Sequence, residues 1–189
     1  MNEMESKIGL ERGIVRLVPH NPEWKNIFEA EKLRLQNSIG PYVLDIQHIG
    51  STAIPGIVAK PIVDIGVAVE NFERATVCVA PLEAIGYEYK GENGIPRRHY
   101  FDYGMPRIFH LHMFEQTSLE WESHLLFRDY LVRHPEIAAQ YEALKKDLAT
   151  KYRNEREKYT SEKGPFIQRV ITAARQELAS TPPPFNSGS

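Results

Sequence analysis

Residues 48–67, HIGSTAIPGIVAKPIVDIGV, read as a strand ending in Gly50-Ser51, a turn carrying Pro55-Gly56, and a second strand. That second strand, Pro61 to Val69, is apolar apart from Asp64. Such a run is what a strand covered on both faces looks like, and a lone carboxylate inside it needs a reason. Gly50 permits close backbone approach, and Ser51 offers a hydroxyl and an amide N–H to a phosphate at the start of the following turn. Asp64 would then supply a hard oxygen ligand for Mg2+ bound to the same phosphates. A Gly-Ser pair is also an ordinary tight turn and a strand Asp is also a hydrogen-bonded core acid; on spacing alone both readings stand.

Outward from this stretch, Ile14 to Val18 alternates as a short strand does. Asn21-Pro22 opens a helix whose apolar face is Trp24, Ile27, Phe28, Ala30 and Leu35. Val43 to Ile49 is the strand that leads into Gly50. Asn71 caps a helix through about Ala84, Tyr87 to Lys90 and Arg98 to Tyr103 read as edge strands, and Arg107 to Phe114 as a further strand. From Ser118 the apolar spacing turns helical, through Ile137, Tyr141, Leu144 and Leu148 and again through Phe166, Val170, Ala173 and Glu177. Strands with interspersed helices, followed by three helices, predict an α+β fold. The unit spans residues 8–180, an α/β core over 8–117 and a helical part over 118–180. The helices need a partner surface, which the apolar face of the sheet is expected to provide, so that they cover one side of a cleft. Residues 1–7 and the proline-rich 181–189 read as disordered ends.

The chain carries 23 Lys+Arg against 25 Asp+Glu, a formal charge of −2 over 189 residues. That balance argues against the nucleic-acid backbone as main partner and leaves a small anionic substrate open. The single Cys78 excludes an internal disulfide and a cysteine zinc cluster; within an apolar helical segment it reads as a small buried hydrophobe. No apolar run approaches the roughly 18 residues of a membrane span, and the acidic opening lacks the pattern of a signal peptide, so a cytoplasmic protein is expected. P-loop, nucleophile-elbow and Rossmann glycine motifs are missing from the sequence.

The second chemical cluster is His110-Leu111-His112, whose imidazoles share one face if this segment is a strand. They converge on one ion or one phosphate, with His48 and Asp64 as further ligand candidates, or they bond backbone and substrate oxygens with no ion present. Arg97, Arg98, Arg107, Arg128 and Lys163 are candidate anion contacts, and Tyr159 lies one helical turn before Lys163. Lys145, Lys146, Lys151, Arg153, Arg156 and Lys158 read as solvated helix charges.

The order strand, Gly-Ser, turn, strand, Asp resembles the nucleotidyltransferase superfamily, and HIGSTAIPGIVAKPIVDIGV resembles the GrpB family, nucleotidyltransferase-like proteins of poorly defined function. RRHYF (97–101), FHLHMFE (109–115), HLLFRDYLVRHPEIAAQYEALKKDLA (124–149) and YTSEKGPFI (159–167) extend the resemblance over nearly the whole body. It implies a nucleotidyltransferase-like mixed sheet flanked by helices, and a nucleotide or phosphorylated small molecule bound with a divalent metal, Mg2+ or another. Asp64, His110 and His112 would be the catalytic and metal residues, and Gly50, Ser51, Lys60, Arg98, Arg107, Arg128, Tyr159 and Lys163 the phosphate or substrate contacts. The implied reaction is attack of an acceptor hydroxyl on an α-phosphorus. Fusion of such domains to dephospho-CoA kinase in some bacteria points toward coenzyme A or nucleotide metabolism. Active nucleotidyltransferases carry Asp-x-Asp or Asp-x-Glu, since residues i and i+2 share a strand face, whereas this chain has Asp64-Ile65-Gly66. The missing acid sets two-metal transfer against a non-catalytic binding module or a histidine-ligated metallohydrolase. Gly66→Asp, restoring the acid, is the complementary test.

Overall fold

The long apolar run around Asp64 is an inner strand of a five-stranded mixed sheet in the computed structural model, which describes residues 8–180. The ends expected to be disordered lie outside the described residues. In chain order the strands are β1 (Asp45–Ile49), β2 (Val63–Val69), β3 (Tyr87–Tyr89), β4 (His99–Tyr103) and β5 (Phe109–Glu115), arranged β1-β2-β5-β4-β3. Only the β2–β5 pair is parallel; the other three are antiparallel.

Strand alternation gives this sheet two unlike faces. Val63, Ile65, Val67 and Val69 of β2, Leu111 and Met113 of β5 and Phe101 of β4 point to one side. There they meet Trp24, Phe28, Leu35 and Ile39 of α1 (Glu23–Ile39) and Leu82 of α2 (Val79–Ala84). The Asn21 signal for α1 is realised, its Oδ1 accepting the Glu23 amide at 3.1 Å. Cys78 is fully buried in the same layer, and burial pushes its thiol up to about 11, away from nucleophilic use. The opposite face carries Asp64, His110, His112, Tyr100 and Asp102 at paired positions.

Four helices follow the sheet rather than three: α3 (Leu119–Arg133), α4 (Pro135–Lys151), α5 (Arg156–Glu162) and α6 (Gly164–Ser180). Pro165 lacks an amide donor and is tolerated in a first helical turn, so α6 starts afresh around it. These helices do not cover the apolar side of the sheet, which α1 and α2 already occupy. They bury Phe127, Leu131, Tyr141, Phe166 and Val170 against one another and against Ile54 and Ile57 of the β1–β2 connection. From α3, Trp121 and Leu125 reach the sheet, against Ala68 and Phe114 on the polar face. On α6 the buried positions are Phe166, Val170, Ile171 and Ala174, one residue on from the expected Ala173.

Three local expectations are corrected. Residues 14–18 form no strand; Val18 makes a single bridge to Ala59, Leu10 before the segment makes another to Arg107, and Val15 turns into a cluster with Leu148 and Tyr159. β4 is an inner strand, bonded to both β3 and β5. The stretch after Asn71 is a 3-10 turn (Arg74–Cys78) before α2, so Pro81 falls in a first helical turn, where its missing N–H does no harm.

Candidate functional site

The parallel register sets Asp64 of β2 beside His110 of β5, and Gly66 beside His112. Asp64 Oδ1 lies 3.0 Å from His110 Nδ1 and 3.5 Å from His112 Nε2. Burial pushes the Asp64 carboxyl up, but hydrogen bonds from both imidazoles overcome it and hold the group well below the usual carboxylate range. Burial pushes the His110 imidazole the other way, toward the neutral form. An anionic carboxylate and neutral imidazole are the protonation states a cation requires.

The donor spacing fits a shared ion. Two atoms each about 2.1 Å from one ion are roughly 3.0 to 3.4 Å apart, between octahedral and tetrahedral angles, and one donor atom from each of the three residues lies within 4.8 Å of the others. His110 Nε2 is buried with no partner, and the nearest acid oxygen, Asp102 Oδ1, stands 3.8 Å away. An ion on Nδ1 places the ring proton on Nε2, facing Asp102, the arrangement in which an outer carboxylate orients a ligating histidine. Asp102 is itself held by the Tyr100 hydroxyl, which donates to its Oδ1 at 2.8 Å. One contact opposes the ion: Arg98 donates to His112 Nδ1 at 3.3 Å, which favours the proton on Nε2.

The Gly-Ser turn abuts this cluster. Gly50 has φ +72°, and a Cβ there would stand 2.5 Å from Asp64 Oδ2, so glycine is required for both conformation and space. Ser51 opens a 3-10 turn (Ser51–Ala53), and its side chain shares a hydrogen bond with Tyr141 of α4. The place of the absent second carboxylate is filled. A Cβ on Gly66 would meet Trp121 Cζ3 at 3.0 Å and Ile49 Cγ2 at 3.2 Å. Gly66→Asp therefore puts a carboxylate into an apolar contact instead of restoring a ligand pair, which corrects the use of that variant as a simple gain-of-function test.

Three buried or half-buried lysines gather on this side, Lys60 and Lys163 within the field of Asp64 and Lys145 within that of Lys60 and Glu142. Burial lowers Lys60 to about 8 and Lys145 and Lys163 to about 7; repulsion from Lys60 adds to it at Lys145 and Lys163, and repulsion from Arg156 and Arg107 at Lys60, while Asp64 raises Lys60 and Lys163. Lys60 and Lys163 lie over the ring of buried Tyr159, with Nζ 5.7 and 4.5 Å from its centroid. Lys145 donates to the Val58 carbonyl and lies 4.7 Å from the Tyr141 ring. No lysine of the three forms a salt bridge among the described residues, and Glu142 pairs instead with Lys146. Lys145 is 1% exposed, not solvated as expected. Its signal was available: it follows Tyr141 by four residues and precedes Leu148 by three, inside the apolar stripe of α4. Arg156, also expected to be solvated, is only half-buried and acts electrostatically on Lys60, Lys163 and Arg107.

Other expected residues fall elsewhere. His48 is on the opposite face of β1, stacked on Phe28 with ring centroids 4.9 Å apart and Nε2 2.9 Å from Thr52 Oγ1, and so is not a ligand to the Asp64 cluster. Arg128 joins α3 to β1 through Gln47 Oε1 and the His48 carbonyl, both at 2.9 Å, a structural use of its guanidinium. Arg97 is held by Glu73 and Glu115. Arg98 donates also to the Glu92 and Asn93 carbonyls, and buried Arg107 to that of Glu11, its Nε left without a partner. Sequence reasoning missed Tyr100 and Asp102, whose alternation on β4 carries them to the face of the histidines. It also missed His124 of α3, 5.7 Å from His112 between ring centroids and lowered by burial to about 3.

No helix among the described residues is long and apolar enough to cross a membrane. The chain is 43% identical over 163 residues to UPF0157 protein YqkA of Bacillus subtilis, covering 86% of this chain and 48% of that protein, so it spans about half of that relative's length. A dephospho-CoA kinase of Mycolicibacterium paratuberculosis is 29% identical over 196 residues, covering 90% of this chain and 48% of the kinase. The crystal structure of conserved protein GrpB from Enterococcus faecalis superposes with a TM-score of 0.81 at 35% identity, covering 87% of this chain and all (100%) of that one. The Cid1 poly(U) polymerase with Mg and 3'-dATP bound, 15% identical, aligns with a TM-score of 0.50 over 71% of this chain and 43% of its own, a likeness of fold. The model of the GrpB protein family matches residues 14–173, and with that span covered the chain belongs to the GrpB family, on a nucleotidyltransferase-like α+β fold.

Proposed function

We propose that this protein binds a nucleotide or another phosphorylated small molecule, with its phosphates against Lys60, Lys145, Lys163 and Ser51 and a divalent cation on Asp64, His110 and His112. The observation that carries the reading is a set of three lysines without salt bridges among the described residues, Lys60 and Lys163 acted on by the ionised Asp64 and Lys145 by Lys60, next to two imidazoles. Desolvated positive charge without acids is unfavourable in the free protein and is relieved by a polyanion. A cation at Asp64 would neutralise charge on the same phosphates and polarise a phosphoryl oxygen. The filled position at Gly66 favours binding, or one-ion chemistry, over two-ion nucleotidyl transfer.

Isothermal calorimetry of the full chain against nucleoside triphosphates, nucleoside diphosphates and phosphorylated coenzyme A precursors, with and without divalent cations, tests the reading. The precursors join the panel because of the kinase relatives. Cation-dependent binding that Asp64→Asn abolishes, with unchanged circular dichroism, is the expected result. Binding that survives Asp64→Asn assigns the aspartate a structural role, and no binding by any phosphorylated ligand removes the reading. Product analysis with radiolabelled nucleotide separates transfer or hydrolysis from binding alone.

A further inference from the structure

The residues here do not fit the paired-carboxylate site that a nucleotidyltransferase fold ordinarily offers to Mg2+. One carboxylate is present, the second position is closed by Trp121 and Ile49, and the remaining donors are imidazole nitrogens. We infer that Asp64, His110 and His112 form a single-ion site that selects a late first-row transition ion, of the Zn2+, Co2+ and Fe2+ class, over Mg2+. The inference rests on the cation site proposed above and deepens it by naming the ion class.

Donor chemistry carries most of the argument. Mg2+ is a hard cation that prefers an octahedron of oxygen atoms and gives up water reluctantly, whereas imidazole suits zinc, iron and their neighbours. Two imidazoles and one carboxylate also leave coordination positions for water or a substrate oxygen, as sites that do chemistry require. The spacing agrees, since Asp64 Oδ1 stands 3.0 and 3.5 Å from the two nitrogens, near the edge lengths of a coordination polyhedron. His110 adds an independent observation. Its Nε2 is buried and unpartnered while Nδ1 faces Asp64, and moving the ring proton to Nε2 turns that N–H toward the Asp102 carboxylate, whose nearer oxygen stands 3.8 Å away. With donors already assembled by the β2–β5 register, uptake of the ion needs no nucleotide.

The test uses the full chain stripped of metal by chelation. Cobalt(II) is added and its visible d–d absorption followed, with Zn2+ and Mg2+ as competitors and no nucleotide present. One equivalent of Co2+ is expected to bind, to be displaced by stoichiometric Zn2+, and to resist a hundred-fold excess of Mg2+. His110→Ala and His112→Ala should each weaken uptake at least about 10- to 100-fold, on the scale of lost ligand-shell interactions. His112→Gln, which keeps volume and a polar tip, covers the case in which an alanine variant does not fold; it should bind Co2+ as poorly. Absence of one-equivalent uptake by the wild type, displacement by Mg2+ at parity, or uptake unchanged in folded histidine variants overturns the inference. Nucleotide binding is scored separately. Co2+ uptake with no affinity for phosphorylated ligands leaves the ion site standing and removes the functional reading, whereas Mg2+-dependent nucleotide binding without Co2+ uptake does the reverse.

Discussion

Lys145→Met is expected to make the protein more stable and worse at holding phosphate. Lys145 is 1% exposed, and burial lowers its pKa from 10.5 to about 7. At 1.36 kcal/mol per pH unit, that fall corresponds to ~5 kcal/mol paid by the folded state to keep the group charged. Methionine fills similar volume without charge, but it leaves the Val58 carbonyl without its donor, a loss of about 1–3 kcal/mol, and removes a cation–π contact worth about 1 kcal/mol. The net gain is ~2 kcal/mol near neutral pH, or about 1 M in the urea midpoint at a slope of roughly 2 kcal/mol/M. The sign with pH follows from a folded pKa below the unfolded one. The penalty is complete below about 7 and lifts as pH rises toward 10.5, so wild-type stability should climb over that window, and less steeply in the methionine variant. Urea unfolding at several pH values and calorimetry with a triphosphate are the assays. A variant that is less stable at pH 7, keeps the wild-type pH slope or binds phosphate as before would mean that Lys145 is a structural donor to Val58 and not a phosphate ligand.

Gly66→Ala should destabilise by about 1–3 kcal/mol through overpacking, and a double-mutant cycle with Trp121→Leu should recover much of it, because the new methyl meets the indole at 3.0 Å; additive effects would show that the contact is not the cause. Gly50→Ala combines a positive-φ, extended-ψ backbone that essentially only glycine adopts, about 1–3 kcal/mol for a residue with Cβ, with displacement of Asp64, so denaturation should reveal lower stability and calorimetry a loss of cation uptake; retained uptake would separate the turn from the carboxylate. Arg98→Gln, which removes the N–H facing His112 Nδ1, should tighten Zn2+ binding several-fold, and weaker binding would show that the guanidinium supports the ring instead of competing with the ion. Acid stability reports His124. Its folded pKa, lowered to about 3, lies below the unfolded 6.5, so stability is lost as pH falls through that interval, and His124→Phe should flatten the loss in acid urea titrations.

What could be read from the chain depended on which contacts are local. The Gly50-Ser51 turn, the Asp64 strand and the paired histidines rest on period-2 alternation and on turn chemistry, and the structure brings all of them together. The face of His48 was not legible, because it depends on where β1 begins relative to β2, and a slip of one residue inverts a strand. Arg128 and Arg107 look like anion contacts by residue type; only tertiary packing shows their donors held by the carbonyls of His48 and Glu11. Residues 14–18 alternate as a strand does, but no neighbouring strand offers a continuous edge to them. Lys145 was misassigned because a helical lysine is solvated by default, although its place in the apolar stripe of α4 marks it as an exception. Asp102 and Tyr100 needed only the alternation of β4 to be carried from that strand to the histidines.

The Trp121–Gly66 contact also bears on the protein's possible histories. A glycine on β2 and an indole on α3 share one volume, so neither position is free to change alone: an acid at 66 meets the ring, and a small residue at 121 opens a void above Ala68 and Phe114. A return to paired carboxylates would require two coordinated substitutions, the first of them harmful whichever comes first. Once such a pair is in place, single steps no longer lead back. Variation then runs outward, into the lysines and the loops around them and away from the strand that carries Asp64.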